Sequence, residues 1–202
     1  MQLETFAPLD ELGLVVHAFT LRTTDDTKSD EFQQRLVHSL GFSQFVTAGQ
    51  PHGNAVAIVT YPSSIDDVDA LITRRPNLPL VVRCADCAAV FIVDRITPAI
   101  ALIHSGKKGT QGHVTANALI AMQRAFGTQP LDCLAFVSPS IGPCHYEMDL
   151  WSAIEQQLHD CGVRDIHNPR ICTACHLDRY FSYRAEKGKT GRMLAFLALQ
   201  PS

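Results

Sequence analysis

The amino-acid sequence predicts an α+β fold built on a central, largely mixed or antiparallel sheet system. Three observations carry that expectation. Seven short apolar runs rich in Val, Ile and Phe recur along the chain, and three segments repeat apolar residues at helical spacing. The two kinds of segment do not alternate in the regular strand-helix order that a parallel sheet with crossover helices requires.

Taken in order, the apolar runs at 14–19, 55–61, 78–83, 89–94, 99–104, 133–138 and 193–199 have the length and residue types of strands. Between them, 30–40 sets Phe32, Leu36 and Leu40 on one helical face and stops at Gly41. Residues 114–126 do the same with Val114, Ala118, Met122 and Ala125 before Gly127, and 150–161 with Leu150, Ile154, Leu158 and Cys161 before Gly162. A glycine just past an apolar periodicity is a helix stop, because it accepts the left-handed conformation that closes the last turn. The stretch 23–29 is polar and acidic and reads as a mobile loop. No internal repeat interrupts this order, so 202 residues are expected to form one domain, 1–202.

Composition narrows the function classes. A net charge of -3 without a basic block offers no footprint for nucleic acid or an anionic membrane, since either needs clustered Lys and Arg. Small-molecule partners are favoured, with a monomer or small homo-oligomer. Residues 1–9 carry Glu4 and no basic region before an apolar run, and Arg83, Asp86 and Asp94 break the longest apolar stretches. Neither a secretory signal nor a membrane span is expected, which points to the cytoplasm. Seven cysteines cannot all pair within one chain, so reduced thiols kept for packing, metal or catalysis are expected.

Three stretches at strand-loop junctions carry metal-ligand residues beside small or turn-forming ones: Gln50-Pro51-His52-Gly53, Ala85-Asp86-Cys87, and His104-Ser105-Gly106-Lys107-Lys108-Gly109. Two imidazoles and a thiolate form a set that zinc accepts with its fourth position open, the arrangement of a catalytic site. Each residue alone equally fits a packed or hydrogen-bonded role. A rival pattern pairs Cys84-x-x-Cys87 with Cys172-x-x-Cys175, four thiolates that would close a structural zinc site, although their separation far exceeds the usual ribbon spacing.

These stretches occur in order with Pro139-Ser140-Ile141-Gly142-Pro143-Cys144-His145-Tyr146-Glu147, Cys172-Thr173, Tyr180-Phe181-Ser182-Tyr183-Arg184 and Thr190-Gly191-Arg192. The set closely resembles the YfiH/laccase-domain family of so-called multicopper polyphenol oxidases, over the chain from about His17 to Leu199. The resemblance implies a sheet system flanked by helices, related to the deamidase domain of cytotoxic necrotizing factor toxins. It implies that His52, Cys87 and His104 are the metal-binding and catalytic positions, with zinc as the metal and copper as the alternative. It further implies a purine nucleoside phosphorylase that also deaminates adenosine and cleaves methylthioadenosine. The older laccase label implies copper-dependent phenol oxidation, but a multicopper site needs grouped histidines, and nine scattered ones without a His-x-His pair do not supply them.

Within that reading, Arg22, Arg184 and Arg192 are the candidate phosphate binders, because a guanidinium fork suits phosphate oxygens. Asp86 either orients His52 or His104 or caps a turn. Asp69 is a further supporting carboxylate or a solvated helix-start residue. Cys144 is a candidate behind the ligands. The family has Ala-Gly-Trp-Arg-Gly where this chain has Ser105-Gly106-Lys107-Lys108-Gly109, and Thr23-Thr24-Asp25-Asp26 replaces a Gly-Gly-Val-Ser turn. The segment between Met148 and Cys172 is also several dozen residues shorter than usual. Kept ligands with changed recognition segments lead to an expectation of altered specificity, and the Lys107-Lys108 replacement recommends as the alternative a non-catalytic relative that binds metal and nucleoside without turnover.

Overall fold

The computed structural model describes residues 1–201. Among these, the elements run β1 (Leu3–Glu4), α1 (Ala7–Asp10), β2 (Val15–Thr20), α2 (Asp30–Ser39), β3 (Val46–Ala48), β4 (Val56–Ile58), β5 (Ser63–Ile65), β6 (Ala70–Thr73), β7 (Leu80–Cys84), β8 (Ala88–Asp94) and β9 (Ala99–Ser105). There follow α3 (Lys107–Gln111), α4 (Val114–Phe126), β10 (Cys133–Val137), α5 (Leu150–Asp160), β11 (Asp165–His167) and β12 (Met193–Leu199). The strands form two mixed sheets, ordered β1-β2-β12-β7-β3-β5 and β11-β10-β8-β9-β6-β4. This is the α+β architecture that the sequence predicts.

Side-chain alternation explains how the sheets stack. Phe19, Val82, Ala195 and Leu197 of the first sheet meet Leu71, Phe91, Val93, Ile100 and Leu102 of the second in a shared core. The other face of the second sheet, with Val90, Ile92, Ala101 and Ile103, packs on Ala118, Leu119 and Met122 of α4 and on Ile154 and Leu158 of α5. The outer face of the first, with Ala18, Val81, Leu194 and Phe196, packs on Phe32, Leu36 and Val37 of α2. The result is a helix-sheet-sheet-helix stack. Central strands therefore bury both faces, so β8 and β9 read as continuous apolar runs rather than alternating ones.

Helix ends follow local chemistry. Ser29 caps α2 by accepting from Phe32 N at 3.2 Å, Asp149 caps α5 by accepting from Ser152 N at 3.1 Å, and α4 stops at Gly127 with φ +78°. Two expectations are modified. Asp69 starts no helix: it is fully buried and precedes β6. The 23–29 stretch is anchored at its buried Thr27, whose Oγ1 accepts from Arg192 N at 2.7 Å.

Candidate metal centre and substrate cavity

The second sheet brings the three candidate ligands together. His104 lies near the end of β9, Cys87 on the tight turn joining β7 to β8, and His52 on the loop between β3 and β4. Because β8 and β9 pair with Ala88 opposite Ser105, the β7–β8 turn must meet the end of β9. The ligand atoms of His52, Cys87 and His104 all lie within 4.8 Å of one another, and the two imidazoles meet edge to face with centroids 4.9 Å apart. Close approach depends on Gly106, where a Cβ would stand 2.6 Å from Cys87 Sγ and 3.5 Å from His52 Cδ2.

One buried carboxylate organises both histidines. Asp69 Oδ1 lies 2.8 Å from His104 Nδ1 and accepts from His52 N at 3.1 Å, and its Oδ2 accepts from Gly53 N at 2.6 Å. Its own carbonyl accepts from His104 N at 2.7 Å. These bonds fix the loop at His52, whose left-handed conformation, φ +66°, is uncommon for a residue with a Cβ. With Nδ1 committed to Asp69, the Nε2 of His104 is left for Cys87 or a metal. A carboxylate behind an imidazole fixes its tautomer and raises its basicity, as at histidine-ligated zinc sites.

Electrostatics of the trio follow from this geometry. Burial alone would push the Cys87 thiol up, but the charge of His104 and hydrogen bonds from His104 and His52 outweigh it and bring the thiol to about 6. Burial would likewise push His104 down, yet the charge of Cys87 and the hydrogen bonds to Asp69 and Cys87 raise it to about 9. At neutral pH and without metal the pair is a thiolate and an imidazolium. A metal ion would take the thiolate as it stands and displace one proton from His104.

The trio sits in the wall of a cavity of about 990 Å³, large enough for a nucleoside with an anion beside it. Lys28, Arg83, Lys107, Lys108, Arg184, Lys187 and Arg192 line it, against the single carboxylate of Asp86. A chain of net charge -3 thus presents a positively charged pocket. Tyr146 and Tyr183 supply aromatic faces: the Arg184 guanidinium lies 4.7 Å over the Tyr146 ring and that of Arg192 lies 5.7 Å over Tyr183. Arg184 also donates to Glu147 at 3.0 Å, and Glu147 accepts from Lys107 at 2.9 Å.

The remaining candidates fall elsewhere. Arg22 is absent from the cavity lining; it pairs with Glu186 at 2.7 Å and lies 4.5 Å over Phe181. Asp86 lines the cavity, but its carboxylate accepts from Thr173 Oγ1 at 2.7 Å and from Arg184 N at 2.6 Å, so it fixes the arginine loop while Asp69 holds the histidines. The two Cys-x-x-Cys pairs do not meet in one site. Cys84 is buried in the core between the sheets and Cys87 joins the histidines, while Cys172 and Cys175 lie with Cys144 and His145 in a second group. Cys144 is therefore part of that group and does not stand behind the ligands. Sequence reasoning missed Gln50 and Lys28. Gln50 Nε2 donates to Arg83 O at 2.7 Å and its Oε1 accepts from Arg83 N at 2.9 Å, a pairing across 33 residues with no local signal.

Comparison with known proteins adds a lineage to this geometry. The family model described as Multi-copper polyphenol oxidoreductase laccase matches residues 17–149 and 145–200. A purine nucleoside phosphorylase of Bacteroides thetaiotaomicron is 33% identical over 63% of this chain, which spans 59% of that protein's length. One from Staphylococcus saprophyticus is 30% identical, with 90% of this chain and 85% of that protein covered. The crystal structure of YlmD from Geobacillus stearothermophilus superposes with a TM-score of 0.88 at 24% identity, covering 94% of this chain and 93% of that one. That likeness shows the same fold.

Proposed function

The chain belongs to the Multi-copper polyphenol oxidoreductase laccase family, and on that premise we propose that it is a cytoplasmic, zinc-dependent purine nucleoside phosphorylase. The observation that carries the reading is the convergence of His52, Cys87 and His104 in the wall of a cavity lined by seven cationic side chains. Relatives named purine nucleoside phosphorylase supply the substrate class, a purine nucleoside and phosphate.

The donor set fits zinc. Two imidazoles and one thiolate, already ionised at neutral pH, are borderline-soft ligands that leave a tetrahedral ion one free position. Among the described residues, only two groups of three or more potential ligands lie close enough for an ion, and together they hold three histidines. That supply favours single zinc ions over a cluster of coppers. Zinc held by His52, Cys87 and His104 would supply Lewis-acid polarisation of a substrate oxygen or of water.

The chain's own groups account for the rest. In phosphorolysis a phosphate oxygen bonds to C1′ of the ribose while the bond from C1′ to the purine nitrogen breaks, and the departing base takes up a proton. Arg184 and Arg192, with Lys107 and Lys108, bind and orient the phosphate dianion in the cavity. Tyr146 and Tyr183 offer the base a stacking face in place of the family's tryptophan. Asp69 keeps His104 in one tautomer, with Nδ1 facing the carboxylate and Nε2 free for the ion. The free ligand position also suits hydrolytic deamination of adenosine, and methylthioadenosine is a further candidate substrate.

Chromatography of adenosine, inosine and methylthioadenosine incubated with and without phosphate tests the reading. Phosphate-dependent release of free base is expected, with ammonia released from adenosine alone if deamination also occurs. No turnover of any of the three by zinc-loaded protein would overturn it.

A further inference from the structure

The second ligand group lies at the surface, away from the cavity's catalytic trio. Cys144 and His145 sit on the loop after β10, and Cys172 and Cys175 span a single 3-10 turn, Thr173–Cys175. All four ligand atoms lie within 4.8 Å of one another. Cys144 and Cys175 are exposed, although an unpaired cysteine is among the residue types most often buried. Packing therefore does not explain them.

The distances have a specific meaning. Zinc-sulfur bonds of about 2.3 Å and zinc-nitrogen bonds of about 2.0–2.1 Å at tetrahedral angles put sulfurs about 3.8 Å apart and sulfur and nitrogen about 3.5 Å apart. Here Cys144 Sγ and Cys175 Sγ are 3.6 Å apart, and His145 Nδ1 lies 3.3 Å from Cys144 Sγ, 3.5 Å from Cys175 Sγ and 3.7 Å from Cys172 Sγ. These are four of the six edges of a tetrahedron around one ion, and the other two, from Cys172 Sγ to the sulfurs of Cys144 and Cys175, are within 4.8 Å. Disulfide-bonded sulfurs would be about 2.05 Å apart, so the Cys144 and Cys175 sulfurs are at the separation of two ligands and not of a disulfide. The backbone N–H of Gly142 donates to Cys172 Sγ at 3.3 Å, which favours a thiolate there.

We infer that Cys144, His145, Cys172 and Cys175 form a second, structural metal site that takes one zinc ion in a closed Cys₃His shell. Four protein ligands leave no position for substrate, so the ion acts as a clamp. It joins the loop that carries Tyr146 and Glu147 to the turn that carries Thr173, whose hydroxyl donates to Asp86. Ser140 and Cys172 already form a bridge beside it, and Thr173 N donates to Ser140 O at 3.1 Å. The zinc would thereby hold one wall of the cavity against the turn that presents Cys87. This site uses none of the catalytic ligands and stands whether or not the phosphorylase reading does.

Zinc content of the full chain, purified under reducing conditions, tests the inference. Wild type should carry two equivalents, Cys144→Ser/Cys175→Ser one, and His52→Ala/His104→Ala one. After cobalt replacement, the His52→Ala/His104→Ala protein should show the strong charge-transfer absorption of three thiolates, and Cys144→Ser/Cys175→Ser the weaker band of one. If the double cysteine variant does not fold, zinc is added to metal-free wild type and alkylation is mapped by peptide. Cys144, Cys172 and Cys175 should become protected together. Unchanged zinc in Cys144→Ser/Cys175→Ser, absence of joint protection, or a disulfide among these cysteines in the reduced, zinc-loaded protein would overturn the inference.

Discussion

The two histidine-cysteine groups of this molecule use the same atoms to different ends. The cavity group has three ligands, one thiolate, a buried carboxylate behind one imidazole, and open space in front. The surface group has four ligands, three of them thiols, no carboxylate, and two short loops for support. Ligand count and what stands behind and before the ligands are what separate a group suited to leave room for a substrate from one suited to hold two segments together. Two of the cavity ligands, Cys87 and His104, also stand at the ends of long central strands, with His52 on a loop tied to Asp69, whereas the surface ligands stand on a loop and a single turn.

Perturbing the cavity group should therefore be far more damaging to turnover than perturbing the walls around it. Cys87→Ser should lower kcat/KM for phosphorolysis at least about 10²-fold, beyond the 10–100-fold typical of groups that only support a ligand, and should remove one zinc equivalent. Wild-type activity in that variant would break the comparison. The next largest effect is in reactivity. In metal-free protein, alkylation of Cys87 followed by peptide mapping should have a midpoint near pH 6, against 9.0 for an ordinary thiol. The folded-state value lies below the ordinary one, so the thiolate persists as pH falls until about 6; the His104 value lies above, so its proton persists as pH rises until about 9. A midpoint near 9 would mean that the pair is not formed.

Asp69→Asn keeps the shape but withdraws the charge behind His104, and zinc affinity at the cavity group should fall about 10–100-fold, measured by competition with a chelator of known affinity. Arg184→Ala should raise KM for phosphate by about tenfold or more, since a hydrogen bond to a charged group is worth about 1.5–3 kcal/mol, while leaving zinc content unchanged. Arg22→Ala should do least. Its partner is Glu186, both are partly exposed, and such a pair contributes about 0–1 kcal/mol, so steady-state KM for phosphate should not move.

Residues that announce themselves by local pattern were legible in the sequence. β8 and β9 show as apolar runs because both their faces are buried, and α4 shows because one apolar stripe faces the second sheet and α5 while its other side is left to solvent. β3 and β5, three residues each, do not show, since Val46-Thr47-Ala48 and Ser63-Ser64-Ile65 become strands only by pairing with each other and with β7. The same division runs through the sites. His52, Cys87 and His104 are visible as ligand types beside glycines. Asp69 as the organising carboxylate is not, because its importance lies in bonds to residues 16, 17 and 35 positions away. Cys172-x-x-Cys175 was legible as a knuckle, but its partners Cys144 and His145 were not, because no spacing rule links a neighbouring pair to a turn 27 residues on. Arg22 looked like an anion binder because sequence shows a charge without showing that Glu186 already holds it.

The central claim, that His52, Cys87 and His104 hold a zinc ion on which phosphorolysis depends, is tested most directly by adding zinc back to metal-free protein. Phosphate-dependent release of hypoxanthine from inosine would be followed in wild type and in Cys87→Ser. Activity should return in wild type as zinc is added and stay at background in Cys87→Ser at every zinc level. Equal activity in the two proteins, or full activity of wild type without zinc, would contradict the account.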